Sequence, residues 1–447
     1  RSRYDRPIMD DRIYKRRYRI LSVLMLGPIM CNLDSSIVNL ALPVMARSMG
    51  VGISAIQWVV TAYLITLAAL ILIFGKIADR VGKRAVFVWG FLVFGSGSLM
   101  SALSGDFAFL IVSRVVQAVG AAMFMSSNQG IIATVFPPQE RGRAMGLIGS
   151  AVAIGAMVGP PLGGILVGAF AWQSIFIVNI PIAAFAFVAG LAIIPRDEVN
   201  AGKVEAGFDF AGAATFVLAV VSLFWALLSG EALGWGSWPI LACLALGLGC
   251  FYAFYRVERA AEKPMLDLSA FRNRLFSVSI VCASLSFAVI FSINIIHPFY
   301  LQYALGLSPG TAGLLMLALP LAQCLVAPLS GYLADKVGAE PITVAGLAVM
   351  LAGLVLMSTL SLSSSYAAII AYSVLASSGS AIFSSPNTSI IMGLSPRDRL
   401  GITGSINAEA RNIGMVSGIA LSVALLYDRM GAAAAHPVSG YVDGRPD

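Results

Sequence analysis

Charged residues are scarce in this chain, at 11% of 447, while hydrophobic residues make up 58%. Soluble domains carry about 25% charged residues, so the shortage excludes a soluble fold and points to a chain solvated by lipid. Histidine is rarer still, with two residues. The five cysteines, Cys31, Cys243, Cys250, Cys282 and Cys324, all fall in apolar runs. Their spacing matches neither a metal site nor a disulfide framework. HExxH is absent, and so is a Walker A loop. Lys76 follows Gly75, but no Ser or Thr comes next, and Leu70 stands where the first glycine belongs. Enzymatic chemistry and ATP hydrolysis lose their support. No cofactor or metal is expected, and an ion or substrate gradient is left as the energy source.

What the chain has in quantity is apolar runs long enough to cross a layer of about 30 Å. They are read at 20–44, 55–75, 85–104, 107–131, 144–169, 174–194, 209–229, 238–256, 275–303, 310–333, 341–361, 367–393 and 401–426. Alternating sides from a cytoplasmic N-terminus puts 24 of the 29 lysines and arginines on the cytoplasmic side. Arg47, Arg429 and Arg445 fall outside, and Arg114 and Arg411 fall within spans. This bias satisfies the positive-inside rule. It also explains the net charge of +7 without a nucleic-acid partner. The basic segment 1–19 precedes a run too long for a cleaved signal peptide and is expected to lie against acidic headgroups. The polar stretch 427–447 reads as an outer loop leading to a missing fourteenth helix.

The chain repeats itself. "GKIADRVGKR" at 75–84 returns as "GYLADKVGAE" at 331–340, and "ERGRAMG" at 140–146 returns as "DRLGITG" at 398–404. Matches in register on one side of the membrane imply two homologous halves. The halves are read as 20–194 and 275–426. Residues 209–256 form an inserted pair of helices between linkers 195–208 and 257–274.

Each motif has a local physical reading. Gly75 lets the second and third helices approach, and Gly82 suits a tight reversal. Asp79 at a helix end either pairs with Arg80 or Lys83 or faces the N-terminus of a neighbouring helix. Gly155, Gly159 and Gly163 share one helix face, where small residues permit backbone packing. Pro160 and Pro161 remove helix hydrogen bonds and favour a bend.

These stretches resemble the major facilitator superfamily. "GKIADRVGKR" fits its G-x-x-x-D-R-x-G-[RK]-[RK] loop. "RVVQAVGAA" at 114–122 is similar to its R-x-x-Q-G pattern, with Ala118 in place of glycine. "GAMVGPPLGG" at 155–164 resembles its antiporter motif, which includes Gly164. "LDSSIVNLALP" at 33–43, "FDFAG" at 208–212 and "SPNTS" at 385–389 resemble its fourteen-span drug:proton antiporters. The resemblance implies an all-α integral membrane fold of two six-helix halves with two inserted central helices. It also implies a conformational latch at Gly75, Asp79, Arg80, Gly82, Lys83 and Arg84, weaker in the second copy, which lacks the paired basic residues. From Gly155, Gly159, Pro160, Gly163 and Gly164 it implies a kinked helix that seals the boundary between the halves and favours export.

Four charges lie within the spans: Asp34, Arg114, Glu409 and Arg411. Each costs about 2.5–3.5 kcal/mol at a bilayer centre, so each needs a wet cavity or a partner. Helical rise puts Asp34 and Arg114 at similar depths, close enough to pair. Low dielectric favours the protonated acid and a nearby cation the ionised one. Asp34 therefore reads either as a proton carrier or as a structural acid held by Arg114 or by Asn32, Ser35 and Ser36. Glu409 and Arg411, two residues apart on a helix, do not face one another. Glu409 reads as a second proton site, an attractor of cationic substrate, or a structural group. His297 reads as a local kink residue or a relay member. Gln57, Trp58, Tyr63, Asn128, Gln302 and Asn387 are assigned to the substrate cavity.

The expectation is a monomeric, multi-pass cell-membrane exporter, driven by protons, that takes lipophilic compounds, cationic ones among them. An exporter of one natural product, lipid or metabolite stays open beside it, as does a non-transporting sensor.

Overall fold

The computed structural model describes residues 11–196, 209–261, 264–266, 268–307, 309–396 and 399–434. Among them are thirteen helices long and apolar enough to cross a membrane. They are α1 Asp11–Met49, α2 Trp58–Val81, α3 Lys83–Ala102, α4 Phe107–Val135, α5 Arg141–Ala169 and α6 Asn179–Ile193. The inserted hairpin is α7 Phe210–Leu233 and α8 Trp238–Ala260. The remaining five are α9 Arg274–Phe299, α10 Ala318–Val337, α11 Ala339–Met357, α12 Tyr366–Gly393 and α13 Leu400–Ala434. Phe208 and Asp398 of the quoted motifs lie outside the described residues, as do 1–10, most of the first linker and 435–447.

The basic N-terminal segment, 1–19, is described from residue 11. Its described part is the stem of α1, continuous with the first span, and it docks on protein. Tyr14 Oη donates to Glu140 Oε1 and Arg17 Nε to Glu140 Oε2, both at 2.8 Å. This contact ties the stem of α1 to the carboxylate ahead of α5, while Lys15, Arg16 and Arg19 stay exposed.

Within each half, helices pack through glycines placed by the internal repeat. Gly97 of α3 meets the backbone of Gln117, and Gly120 of α4 meets that of Phe94. In the second half Gly353 of α11 meets Ala376, and Gly379 of α12 meets Met350. A side chain at any of these positions would overlap main chain, so the approach is backbone to backbone. Phe91 and Phe124 stack at 4.8 Å in the core of the first half.

The halves join at the face that carries the basic loops. There α5 packs on α10, with Gly146 against Ala327 and Pro328. Ser150 Oγ donates to the Cys324 carbonyl at 2.7 Å. α13 packs on α2 and α4. Gly75 takes part here and not between α2 and α3 as expected, because its missing side chain makes room for Ser405 and Gly401 of α13. The inserted helix α7 touches both α2 and α13. Its Phe216, Val220 and Phe224 share one apolar cluster with Ile65 and Leu72 of α2 and Ile402 and Ile406 of α13.

Candidate functional site

Asp34 is 1% exposed and Arg114 wholly buried, and their side chains pair with Nη1 2.7 Å from Oδ2. Asn32, Ser35 and Ser36 do not hold the carboxylate; Ser36 Oγ bonds back to the Asn32 carbonyl at 2.7 Å instead. Gln117, the glutamine of the quoted R-x-x-Q-G pattern, and Asn179, which the sequence did not single out, complete the shell. Gln117 Nε2 donates to Asp34 Oδ1 at 2.9 Å and Asn179 Nδ2 donates to the same oxygen at 2.8 Å. Gln117 lies one helical turn after Arg114, a spacing that puts both on one face. Asn179 opens α6 and had no such cue. Arg114 also donates through Nε to the Val59 carbonyl at 3.0 Å and to Gln117 Oε1. Its guanidinium lies 4.4 Å from the Tyr63 ring centroid. Tyr63, assigned from sequence to the substrate cavity, is thus a buried wall of the ion pair, and its hydroxyl meets Cys31 Sγ at 3.4 Å. The whole network belongs to helices α1, α2, α4 and α6 of one half.

Two matching contacts cross between the halves at the basic face. Asp79 Oδ1 and Oδ2 accept the N–H groups of Gly401 and Ile402, each at 2.8 Å. These open α13, in the opposite half, where unsatisfied donors and the positive end of the helix dipole favour a carboxylate. Lys83 Nζ stands 2.9 Å from the same Asp79. Asp335 makes the mirrored contact, accepting from Gly142 and Arg143 at the start of α5, again at 2.8 Å. Gly82 and Gly338 both turn with φ of +106°, a conformation glycine tolerates at no steric cost. The second copy keeps the contact and lacks the lysine. Arg84 serves elsewhere, with Nη2 on the Leu191 carbonyl of α6 at 2.7 Å. The repeat register shifts by one residue: Gly142 matches Gly401 in this contact, whereas the sequence alignment pairs it with Leu400.

A further set of polar groups is buried on α4, α12 and α13. Asn128 of α4 donates to the Leu24 carbonyl at 2.7 Å, and Asn387 of α12 donates to Ser279 at 3.0 Å. These are equivalent positions in the two halves, and each amide oxygen is buried without a partner. Asn407 Nδ2 bridges the halves to Gln129 Oε1 at 3.1 Å. One turn on from Ser405, which meets Gly75 of the other half, Glu409 is 4% exposed. Its Oε2 accepts from Asn412 at 3.3 Å, and its Oε1 has no partner. Arg411 points away, 5.4 Å from the Phe287 ring centroid. His297 is buried with both ring nitrogens unpartnered. Gln57 and Trp58 are exposed at the start of α2, away from the Asn128 and Glu409 groups, and Gln302 lies in the π-helical turn Tyr300–Ala304.

The antiporter-motif helix is placed differently from expectation. Gly155 and Gly159 face α1, against the Ile29 carbonyl and Ser36 Oγ, and Gly163 faces Ile37 and Leu40. Gly164 meets only Leu40 at contact distance, and Pro160 and Pro161 are exposed. These glycines close a contact inside one half. The boundary with the other half falls on the earlier glycines Gly142 and Gly146 of the same helix.

The sequence pattern of the Major Facilitator Superfamily matches residues 24–258 and 276–438. The chain is 36% identical over 408 residues to the riboflavin transporter RibZ of Clostridioides difficile, covering 91% of this chain and 87% of that protein. It is 33% identical over 398 residues to the multidrug resistance protein Stp of Mycobacterium tuberculosis, covering 89% and 73%. To the tetracenomycin C resistance and export protein of Streptomyces glaucescens it is 30% identical over 417 residues, covering 93% and 77%. Among solved structures, the human organic anion transporter MFSD10 matches with a TM-score of 0.66, at 16% identity over 92% of this chain and 94% of that chain. The proton:xylose symporter XylE matches with 0.64, at 14% identity over 95% and 91%. Both are likenesses of fold. The chain belongs to the Major Facilitator Superfamily and is a multi-pass membrane transporter.

Proposed function

We propose that this transporter is a proton-coupled antiporter of the cell membrane that exports lipophilic compounds, cationic ones among them, by alternating access. The observation that carries the reading is the sealed Asp34–Arg114 pair. A carboxylate placed at a cost of about 2.5–3.5 kcal/mol in the membrane has a cation within reach, so protonation exchanges one charged arrangement for another. Asn179 and Gln117 accompany the switch, and through them it is tied to α6 and α4. Protons entering from outside neutralise Asp34 and return the carrier after substrate leaves. With the basic face taken as cytoplasmic, the two latches hold a state closed to the cytoplasm. Glu409, with an unpartnered buried oxygen, is the group that favours cationic cargo. The names of Stp and the tetracenomycin protein support drug export.

The test is flux in proteoliposomes under an imposed pH gradient. Wild type is expected to concentrate substrate against its gradient, and Asp34→Asn to equilibrate it only. Flux indifferent to the pH gradient sinks the proposal. Similarity to RibZ favours a second reading, transport of one metabolite. Competition among unrelated lipophilic cations separates the two: its absence selects the narrow substrate.

A further inference from the structure

At the foot of the inserted hairpin, two carboxylates crowd the same glycine, Gly212. Asp209 caps α7, its Oδ1 accepting the Gly212 N–H at 2.7 Å. Glu258 near the end of α8 is 3% exposed, and its Oε2 accepts the Leu266 N–H at 2.9 Å. The other oxygen of each, Asp209 Oδ2 and Glu258 Oε1, is buried without a partner among the described residues. Both converge over Gly212. A Cβ on that glycine would stand 2.5 Å from Asp209 Oδ2 and 2.7 Å from Glu258 Oε1. Two bare carboxylate oxygens crowding one point out of water have lost their solvation and repel. One proton between them turns the repulsion into a short charge-assisted O–H···O hydrogen bond.

The neighbouring charges are already engaged. Lys76 of α2 donates to the Pro264 carbonyl at 2.9 Å and acts on Glu258 without bonding it. Asp79, Arg80 and Arg399 act in turn on Lys76. Arg256 and Arg259 of α8 donate to Tyr252 and Tyr255, each at 3.2 Å. Glu262, Lys263 and Asp267 of the same loop lie outside the described residues.

We propose that Asp209 and Glu258 form a proton-binding site, with one proton shared between Asp209 Oδ2 and Glu258 Oε1. It is separate from the Asp34 network and faces the basic side of the protein. The site is tied to the latch. Lys76, which holds the loop that caps Glu258, lies three residues before Asp79 on the same helix. Loss of the proton pushes the ends of α7 and α8 apart and strains that tether. The site rests on neither substrate nor export direction, so its test stands apart from the flux assay above.

The test compares the purified chain with Glu258→Gln in thermal unfolding from mildly acidic to mildly alkaline pH. The glutamine carbonyl keeps the Leu266 bond and its amide donates to Asp209 Oδ2, which imitates the protonated pair. The wild-type melting temperature is expected to fall as pH rises, relative to a level profile for Glu258→Gln. Infrared spectra are expected to show a protonated-carboxyl stretch in wild type that the variant lacks. Parallel melting profiles with identical spectra overturn the proposal. So does an alkaline wild-type melting temperature that sodium or magnesium restores while leaving Glu258→Gln unmoved, since the site would then hold a cation. If Glu258→Gln does not fold, Asp209→Asn makes the same comparison, its amide donating to Glu258 Oε1.

Discussion

Asp79 and Asp335 stand in reciprocal positions: each ends the second helix of its own half and accepts two N–H groups that open a helix of the other. A carboxylate is suited to this because its two oxygens meet two successive donors at once. Separation of the halves breaks four such bonds together.

Asp79→Asn and Asp335→Asn are therefore expected to shift the protein toward opening at the basic face. An asparagine keeps one acceptor and loses the charge. Hydrogen bonds to charged groups contribute about 1.5–3 kcal/mol each, enough for a tenfold or greater change in population. Asp79→Asn should have the larger effect, because Lys83 loses its partner as well. Spin-label distances between α2 and α13 measure the shift, and equal effects at both sites would leave Lys83 without a part.

The Asp34–Arg114 pair makes an asymmetric prediction. Arg114→Leu leaves a buried carboxylate without its cation and should destabilise by about 3–5 kcal/mol. Arg114→Leu combined with Asp34→Asn should be more stable than Arg114→Leu alone. Thermal unfolding of the single and double variants gives the coupling, and additive losses would contradict a direct pair.

Gly159 offers a packing test. A Cβ there overlaps Ser36 Oγ, so Gly159→Ala should cost about 1–3 kcal/mol through overpacking. Ser36→Ala removes the overlapping oxygen but leaves its Cβ 2.7 Å from the new methyl, so the double variant should recover only part of the loss. Unfolding midpoints show whether it does.

Glu409→Gln removes the charge and keeps the bond to Asn412. Affinity for cationic substrates is expected to fall at least tenfold while neutral ones bind as before. Binding measured for a matched cationic and neutral pair decides this; equal losses for both would give Glu409 a structural role.

Much of this architecture is legible in the residues alone. Hydropathy locates the thirteen spans, and the repeated loop motif pairs Asp79 with Asp335. Depth along two helices brings Asp34 to Arg114. What periodicity cannot supply is which helix lies opposite a given face. Gly75 was read toward α3 and meets α13. Gly155 and Gly159 were read toward the other half and meet α1. Asn179 escaped notice because an isolated asparagine at a helix start carries no spacing signal. Tyr63 looked like a cavity wall because an aromatic on an apolar helix reads alike against substrate or against a buried guanidinium.

The two halves meet along two lipid-facing seams, one between α2 and α13 and one between α5 and α10. α7 lies over the first, its phenylalanines packed into both edges. The inserted pair makes a pseudo-symmetric carrier one-sided toward its membrane.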